Sequence, residues 1–311
     1  MSSFHLMPRT ATGRERVPIG GISISHPDRV IYPDLGLTKL DIARYYDEIA
    51  DSMLRHLVGR PLTLLRCAGP IDSTADKGGC VMLRHGKAWG PAAIRRVHIR
   101  ELRKTGEYLV ADTRAALVGL AQMGVVEVHT WNARAETPYE HDRVVIDLDP
   151  GPEVPWKDVV DAAKLVRQML LDVRLRSWVK TTGGKGLHVV VPIEPTDVDT
   201  CLTFARRFAA VLVHNDGARF TTANAKAGRE RQILIDVLRN NRTNTSVAAF
   251  SLRARPGAPV SMPIAWDDLG PGLNPAASTL QTARNQAQQA ADAWSDYWTA
   301  RQRLPWLRDQ S

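Results

Sequence analysis

The run Val144-Val145-Ile146-Asp147-Leu148-Asp149-Pro150-Gly151-Pro152 constrains this chain most, because it sets two carboxylates in an apolar strand and then stops it. Side chains alternate across a strand, so Val144, Ile146 and Leu148 take one face while Val145, Asp147 and Asp149 take the other. The first face is core. On the second, two carboxylates about 7 Å apart repel unless positive charge lies between them, and a divalent cation is the usual supplier. Pro150-Gly151-Pro152 ends the strand with the acidic pair at its mouth. A plain strand end with solvated turn residues has the same appearance, so the reading depends on what accompanies it.

Residues 1–20 lack periodicity and are expected to be a disordered lead, with order starting near Ile22. Thr38 as N-cap, Asp41 three residues on, and Ile42, Tyr45, Ile49 and Met53 at helical spacing predict a helix. Lys39 in its first turn opposes the helix dipole, which fits either a solvated lysine or a phosphate contact. Residues 62–66, 97–99, 108–110 and 125–131 read as strands, the last carrying His129, and residues 114–123 as a helix. Two further helices are expected over 156–172 and 199–213.

Thr181-Thr182-Gly183-Gly184-Lys185-Gly186-Leu187-His188 then leads into an apolar strand. Its glycines let backbone N–H groups approach an anion, and Thr182 and Lys185 add donors, although surface hairpins use the same residues. Asp236 stands alone in the apolar strand 233–238 and needs a cation or a hydrogen-bond partner. Arg239 follows. Residues 251–255 read as a strand with Arg253 and Arg255 on one face, a pair suited to a triphosphate. A long helix over about 276–303 is expected to pack through Leu280, Ala287, Ala291, Trp294 and Trp298.

With 44% hydrophobic and 24% charged residues the chain has a globular composition. It has no long apolar run and no signal-like start, so a cytoplasmic protein with no membrane span is expected. Cys67, Cys80 and Cys201 are widely spaced and outside any Cys-x-x-Cys, and are expected to be three buried thiols. A net charge of +8 favours a polyanionic partner without naming it.

Three strand carboxylates, a Gly-rich anion turn with a histidine and a late arginine pair form a two-metal nucleotidyl-transfer constellation. Asp147, Asp149 and Asp236 would hold two divalent ions, and Thr182, Lys185, His188, Arg253 and Arg255 would hold a triphosphate. Two other readings stay open: a metal-dependent nuclease using the same carboxylates on water, and a non-catalytic module bridging DNA ends for a ligase.

These motifs, with Asp236-Val237-Leu238-Arg239-Asn240-Asn241 and the run from Ser251 to Ser261, resemble the polymerase domain of bacterial ligase D. That family belongs to the archaeo-eukaryotic primase-polymerases and works in non-homologous end joining. The resemblance covers roughly residues 22–270 and implies an α+β fold: a primase-polymerase palm with an RRM-like antiparallel sheet, packed against an N-terminal α/β portion. The implied organisation is a catalytic domain over 21–272, with the N-terminal portion about 21–135 and the palm about 136–272. A C-terminal helix in 273–311 packs on it. The implied chemistry is template-dependent addition of NTPs or dNTPs at DNA breaks and short gaps with Mn2+ or Mg2+, two per site, beside an ATP-dependent DNA ligase and Ku.

By the same resemblance Asp147, Asp149 and Asp236 are the catalytic carboxylates, and His129 lies near metal and nucleotide. Thr182, Lys185, His188, Arg239, Arg253 and Arg255 contact the nucleotide, while Lys39 and Arg29 meet a downstream 5′-phosphate. Arg29 stands where the family commonly has lysine. Aliphatic residues near Val81 and Met82 stand where many relatives have an aromatic pair for the templating base, a task that Trp89 is a candidate to fill.

Overall fold

The computed structural model describes residues 16–71, 79–86, 90–101, 103–225 and 227–305; Trp89 and the first fifteen residues lie outside these. Order begins earlier than expected. Arg16–Ile19 pairs with Ile22–Ser25 as a hairpin whose turn residues, Gly20 and Gly21, both have positive φ, the conformation a two-residue turn of this hand needs.

Two sheets carry the fold. In the first, the order is Ser246–Val247, Val125–Thr130, Leu62–Cys67, Thr105–Val110 and Arg95–Arg100, with Cys80–Leu83 paired to Leu62–Cys67. The helices Lys39–Glu48, Ala50–Leu57 and Arg114–Gln122 bury Ile42, Tyr45, Met53, Leu117 and Leu120 in the core formed with this sheet. Thr38 caps the first helix with a reciprocal Thr38–Asp41 box, as its spacing predicts.

In the second sheet the order is Phe220–Thr221, Ile233–Asp236, Glu140–Pro150, Leu187–Asp197, Trp178–Thr181 and Pro263–Ile264. All neighbours are antiparallel except the first pair. This is the α+β palm. Val144, Ile146 and Leu148 pack with the helices Trp156–Asp172 and Val198–Asn215, while Val145, on the other face, packs with Trp178, Trp294 and Tyr297. Buried arginine joins the two sheets: Arg143 donates to Thr130 Oγ1 and the Trp131 carbonyl, and Arg60 pairs with Asp142.

Three further expectations are corrected by the fold. The strand expected over 233–238 stops at Asp236, and Val237–Asn240 forms a 3-10 turn. Buried Asn240 replaces the missing strand there, accepting the Val145 N–H and donating to the Val145 carbonyl. The long C-terminal helix is only Ala283–Asp292 followed by a 3-10 turn Ser295–Trp298. The hydroxyls of Thr279 and Thr282 bond within the preceding loop, and Trp294 and Trp298 turn inward on His56, with ring centroids at 5.5 and 4.8 Å. Finally, Cys67 and Cys80 are not free thiols. They are opposed in register across adjacent strands and form a disulfide, leaving Cys201 as the free, buried cysteine.

Candidate active site

Strand register builds the site. Asp147 lies opposite His188 on one side and Asp236 on the other, and His188 lies opposite Lys180. Opposed residues share a sheet face, so Lys180, His188, Asp147 and Asp236 form a row across four strands, with Asp149 two residues beyond Asp147 at the exposed strand end.

Asp147 is buried, and burial alone would raise its pKa; His188 and Arg239 outweigh that and hold it well below the usual carboxylate range. Arg239 Nε donates to its Oδ2 at 2.9 Å, and His188 Nε2 stands 3.4 Å from Oδ1. Burial and the nearby Lys180 push the His188 imidazole down to about 4 against the pull of Asp147, and the permanent positive charge beside Asp147 is that of Arg239. The 3-10 turn after Asp236 carries Arg239 back over the row, where its Nη2 also lies 3.1 Å from Asp236 Oδ2. Burial and the charges of Asp147 and Asp149 raise the Asp236 pKa despite that contact. Arg229 Nη2 lies 3.2 Å from Asp149 Oδ2.

The Gly-rich turn closes over this row. Thr182 N–H and Oγ1 both donate to the Gly186 carbonyl at 3.1 Å. A Cβ on Gly186 would come within 2.5 Å of the Leu148 carbonyl oxygen, so glycine is what lets the turn seat against the acidic strand. The stretch 251–255 is not the expected strand; it makes one isolated bridge, between Leu252 and Val260. It still delivers both arginines, and Arg253 Nη1 donates to the Thr182 carbonyl.

Of the residues expected at the site, His129, Asp147, Asp149, Thr182, His188, Arg239, Arg253 and Arg255 line one cavity of about 240 Å3. Asp236 joins through the register and Arg239. Lys185 does not line it; its side chain is exposed on the turn. Lys39 and Arg29 form a separate basic cluster with Arg66, in which burial and the two arginines lower the Lys39 ammonium to about 8. Lys39 is only 4% exposed and donates to the Ser25 carbonyl and Gln122 Oε1, both at 2.8 Å, so it faces inward rather than into open solvent. Tyr32 donates its hydroxyl to the Arg253 carbonyl at 2.7 Å.

Three aspartates offer the hard oxygen donors that Mg2+ and Mn2+ take. Among the described residues no three acidic, histidine or cysteine side chains converge as a ready ligand set, and Arg239 and Arg229 engage the carboxylates. The donor chemistry fits divalent ions whose charge would replace those guanidinium contacts.

Sequence reasoning missed Arg229, Lys180 and Asn240 as parts of this arrangement, and also Glu127. The signal for Glu127 was its place two residues before His129, on the same strand face.

The palm sheet thus carries a carboxylate row beneath a Gly-rich turn, with arginines converging on it. Residues 38–294 match the family described as LigD, primase-polymerase domain, and the chain belongs to that family. It is 35% identical over 301 residues to the multifunctional non-homologous end joining protein LigD of Pseudomonas aeruginosa, covering 95% of this chain and 35% of that protein. The LigD of Mycobacterium tuberculosis H37Rv is 32% identical over 257 residues, covering 80% and 33%. The chain thus spans about a third of the length of these relatives. The polymerase domain of M. tuberculosis ligase D, solved in complex with DNA, superposes with a TM-score of 0.80 at 27% identity, covering 88% of this chain and 96% of that one.

Proposed function

We propose that this chain is a template-dependent polymerase that adds NTPs or dNTPs at DNA breaks and short gaps in non-homologous end joining. The observation that carries the reading is the convergence, in one cavity, of the Asp147 row with Arg253 and Arg255. Carboxylates alone serve a nuclease equally well, but a pair of arginines facing them answers to the charge of a triphosphate.

Mn2+ or Mg2+, two per site, would be held by Asp147, Asp149 and Asp236 with His129 beside them, and would activate the attacking hydroxyl and offset charge on the leaving group. Arg253 and Arg255 bind the triphosphate, with Thr182 and the turn backbone beside them. His188 stands in the row beside Asp147, facing the same cavity. Arg239 spans Asp147 and Asp236, and Arg229 covers Asp149. The cavity is lined almost wholly by charged and polar groups, which suits the charged end of the nucleotide. A downstream 5′-phosphate is met at the cluster of Arg29, Lys39 and Arg66, where Lys39, held inward by Ser25 and Gln122, contributes charge from behind, and an anion there relieves the mutual repulsion of the cations. The DNA in the solved relative supports a DNA substrate here, and an ATP-dependent ligase and Ku are the expected company.

The test is extension of a labelled primer on a gapped duplex with a downstream 5′-phosphate, in Mn2+ with rNTPs or dNTPs, for wild type and Asp147→Ala. Templated addition lost in the variant supports the reading. Primer shortening would point to a nuclease, and binding without any change in the primer to an end-bridging module.

A further inference from the structure

Glu127 is a buried carboxylate beside the cavity that the reaction read above does not use. It shares a face of the Val125–Thr130 strand with His129. Its Oε2 lies 2.8 Å from His129 Nε2 and 3.1 Å from Arg253 Nε, and its Oε1 accepts the Ala254 N–H at 2.8 Å. One side chain thereby fastens two cavity-lining groups from distant parts of the chain.

The two ties differ in kind. An ionised carboxylate only accepts hydrogen bonds, so the contact with His129 puts a proton on Nε2 and, in the neutral ring, leaves the lone pair on Nδ1. The Arg253 Nε–H is not aligned on an acceptor, so its tie to Glu127 is one of charge, while the aligned bond from Ala254 fixes the backbone beside it. On its far side Arg253 is held by the Thr182 carbonyl, which leaves little freedom for the guanidinium.

We propose that Glu127 is a positioning residue for the incoming nucleotide: it sets the tautomer of His129 and the spacing between that ring and the Arg253 guanidinium. The identity of the ligand rests on the nucleotidyl-transfer reading; the geometry does not. A carboxylate that acts through two binding groups alters nucleotide affinity more than the chemical step, and its effect vanishes when those groups are gone.

Two measurements test this. In steady-state extension on the gapped duplex, Glu127→Gln is expected to raise KM for the nucleotide about tenfold or more, with kcat changed less and affinity for the duplex unchanged. In an Arg253→Ala, His129→Ala background the same substitution is expected to change KM less than twofold. An unchanged KM in folded Glu127→Gln, or an effect of equal size in that background, would overturn the proposal. The second measurement reads ring-nitrogen shifts in histidine-labelled wild type, with the His129 signal assigned by its loss in His129→Ala. The proton is expected on Nε2, and a proton on Nδ1 alone would overturn the proposal even if Glu127→Gln fails to fold. Because this readout needs no turnover, a wild type that never extends a primer sinks the polymerase reading separately.

Discussion

Asp147 and Asp236 face each other directly across adjacent strands, and the Arg239 guanidinium touches both. Opposed like charges destabilise a sheet, and here one arginine offsets two of them. Arg239→Ala is expected to cost roughly 1–2 kcal/mol, less than a fully buried pair because Arg239 is part exposed. Millimolar Mn2+ should restore more of that loss, read as the unfolding temperature, than it adds to wild type. Equal shifts in the two proteins would mean that ions do not enter between these carboxylates.

Arg229 competes for Asp149 at 3.2 Å. Arg229→Ala frees that carboxylate, so Mn2+ titrated into the protein without DNA or nucleotide should bind more tightly, by up to about tenfold for a part-exposed pair. Electron paramagnetic resonance of free Mn2+ reads this directly, and unchanged or weaker binding contradicts it.

At Gly186 the obstacle is backbone rather than a movable side chain, since an added Cβ meets the Leu148 carbonyl at 2.5 Å. Gly186→Ala is expected to destabilise by about 2–3 kcal/mol. Primer extension should fall with it, because the turn that holds Thr182 shifts. A stable, fully active variant would mean that the turn has slack.

His141 is buried with no partner on Nδ1, and burial and Arg143 lower its pKa from 6.5 to about 4. Below pH 6.5 the unfolded chain takes up a proton that the folded chain refuses, so stability falls as pH drops through that window toward 4. His188, lowered to about 4, adds to the same slope. In His141→Gln, denaturant unfolding should lose up to about 2 kcal/mol less between pH 6.5 and 5 than in wild type. Parallel losses in the two proteins would remove His141 as a source.

Denatured without reductant, the protein should offer one reactive thiol, Cys201, and three after reduction. Three before reduction would mean that Cys67 and Cys80 stand unbridged.

Much of this was readable from pattern. The alternation around Asp147 gave the correct faces of the central strand, and the capping box gave the start of the Lys39 helix, since both depend on neighbours a few residues apart. What depends on which strands become neighbours was not readable. The Cys67–Cys80 pair forms because register opposes those residues, something no spacing rule supplies. Arg239 reaches Asp147 because the strand ends at Asp236, where Asn240 can complete the ladder; apolar residues beyond that point disguised the end. Lys39 was placed correctly on its helix, but the direction of its ammonium is set by Ser25 and Gln122, partners from two other elements.

The short strand Ser246–Val247 closes an edge of the first sheet against Val125–Thr130 although it follows most of the palm in sequence. During synthesis that edge therefore stays open until the ribosome has released more than two hundred residues, and unpaired edges invite intermolecular pairing. Arg253 and Arg255 arrive just behind it. A nascent chain shorter than this has its acidic row with Arg229 and Arg239 on it but neither Arg253 nor Arg255, so a late step of folding is also the step that completes the cavity.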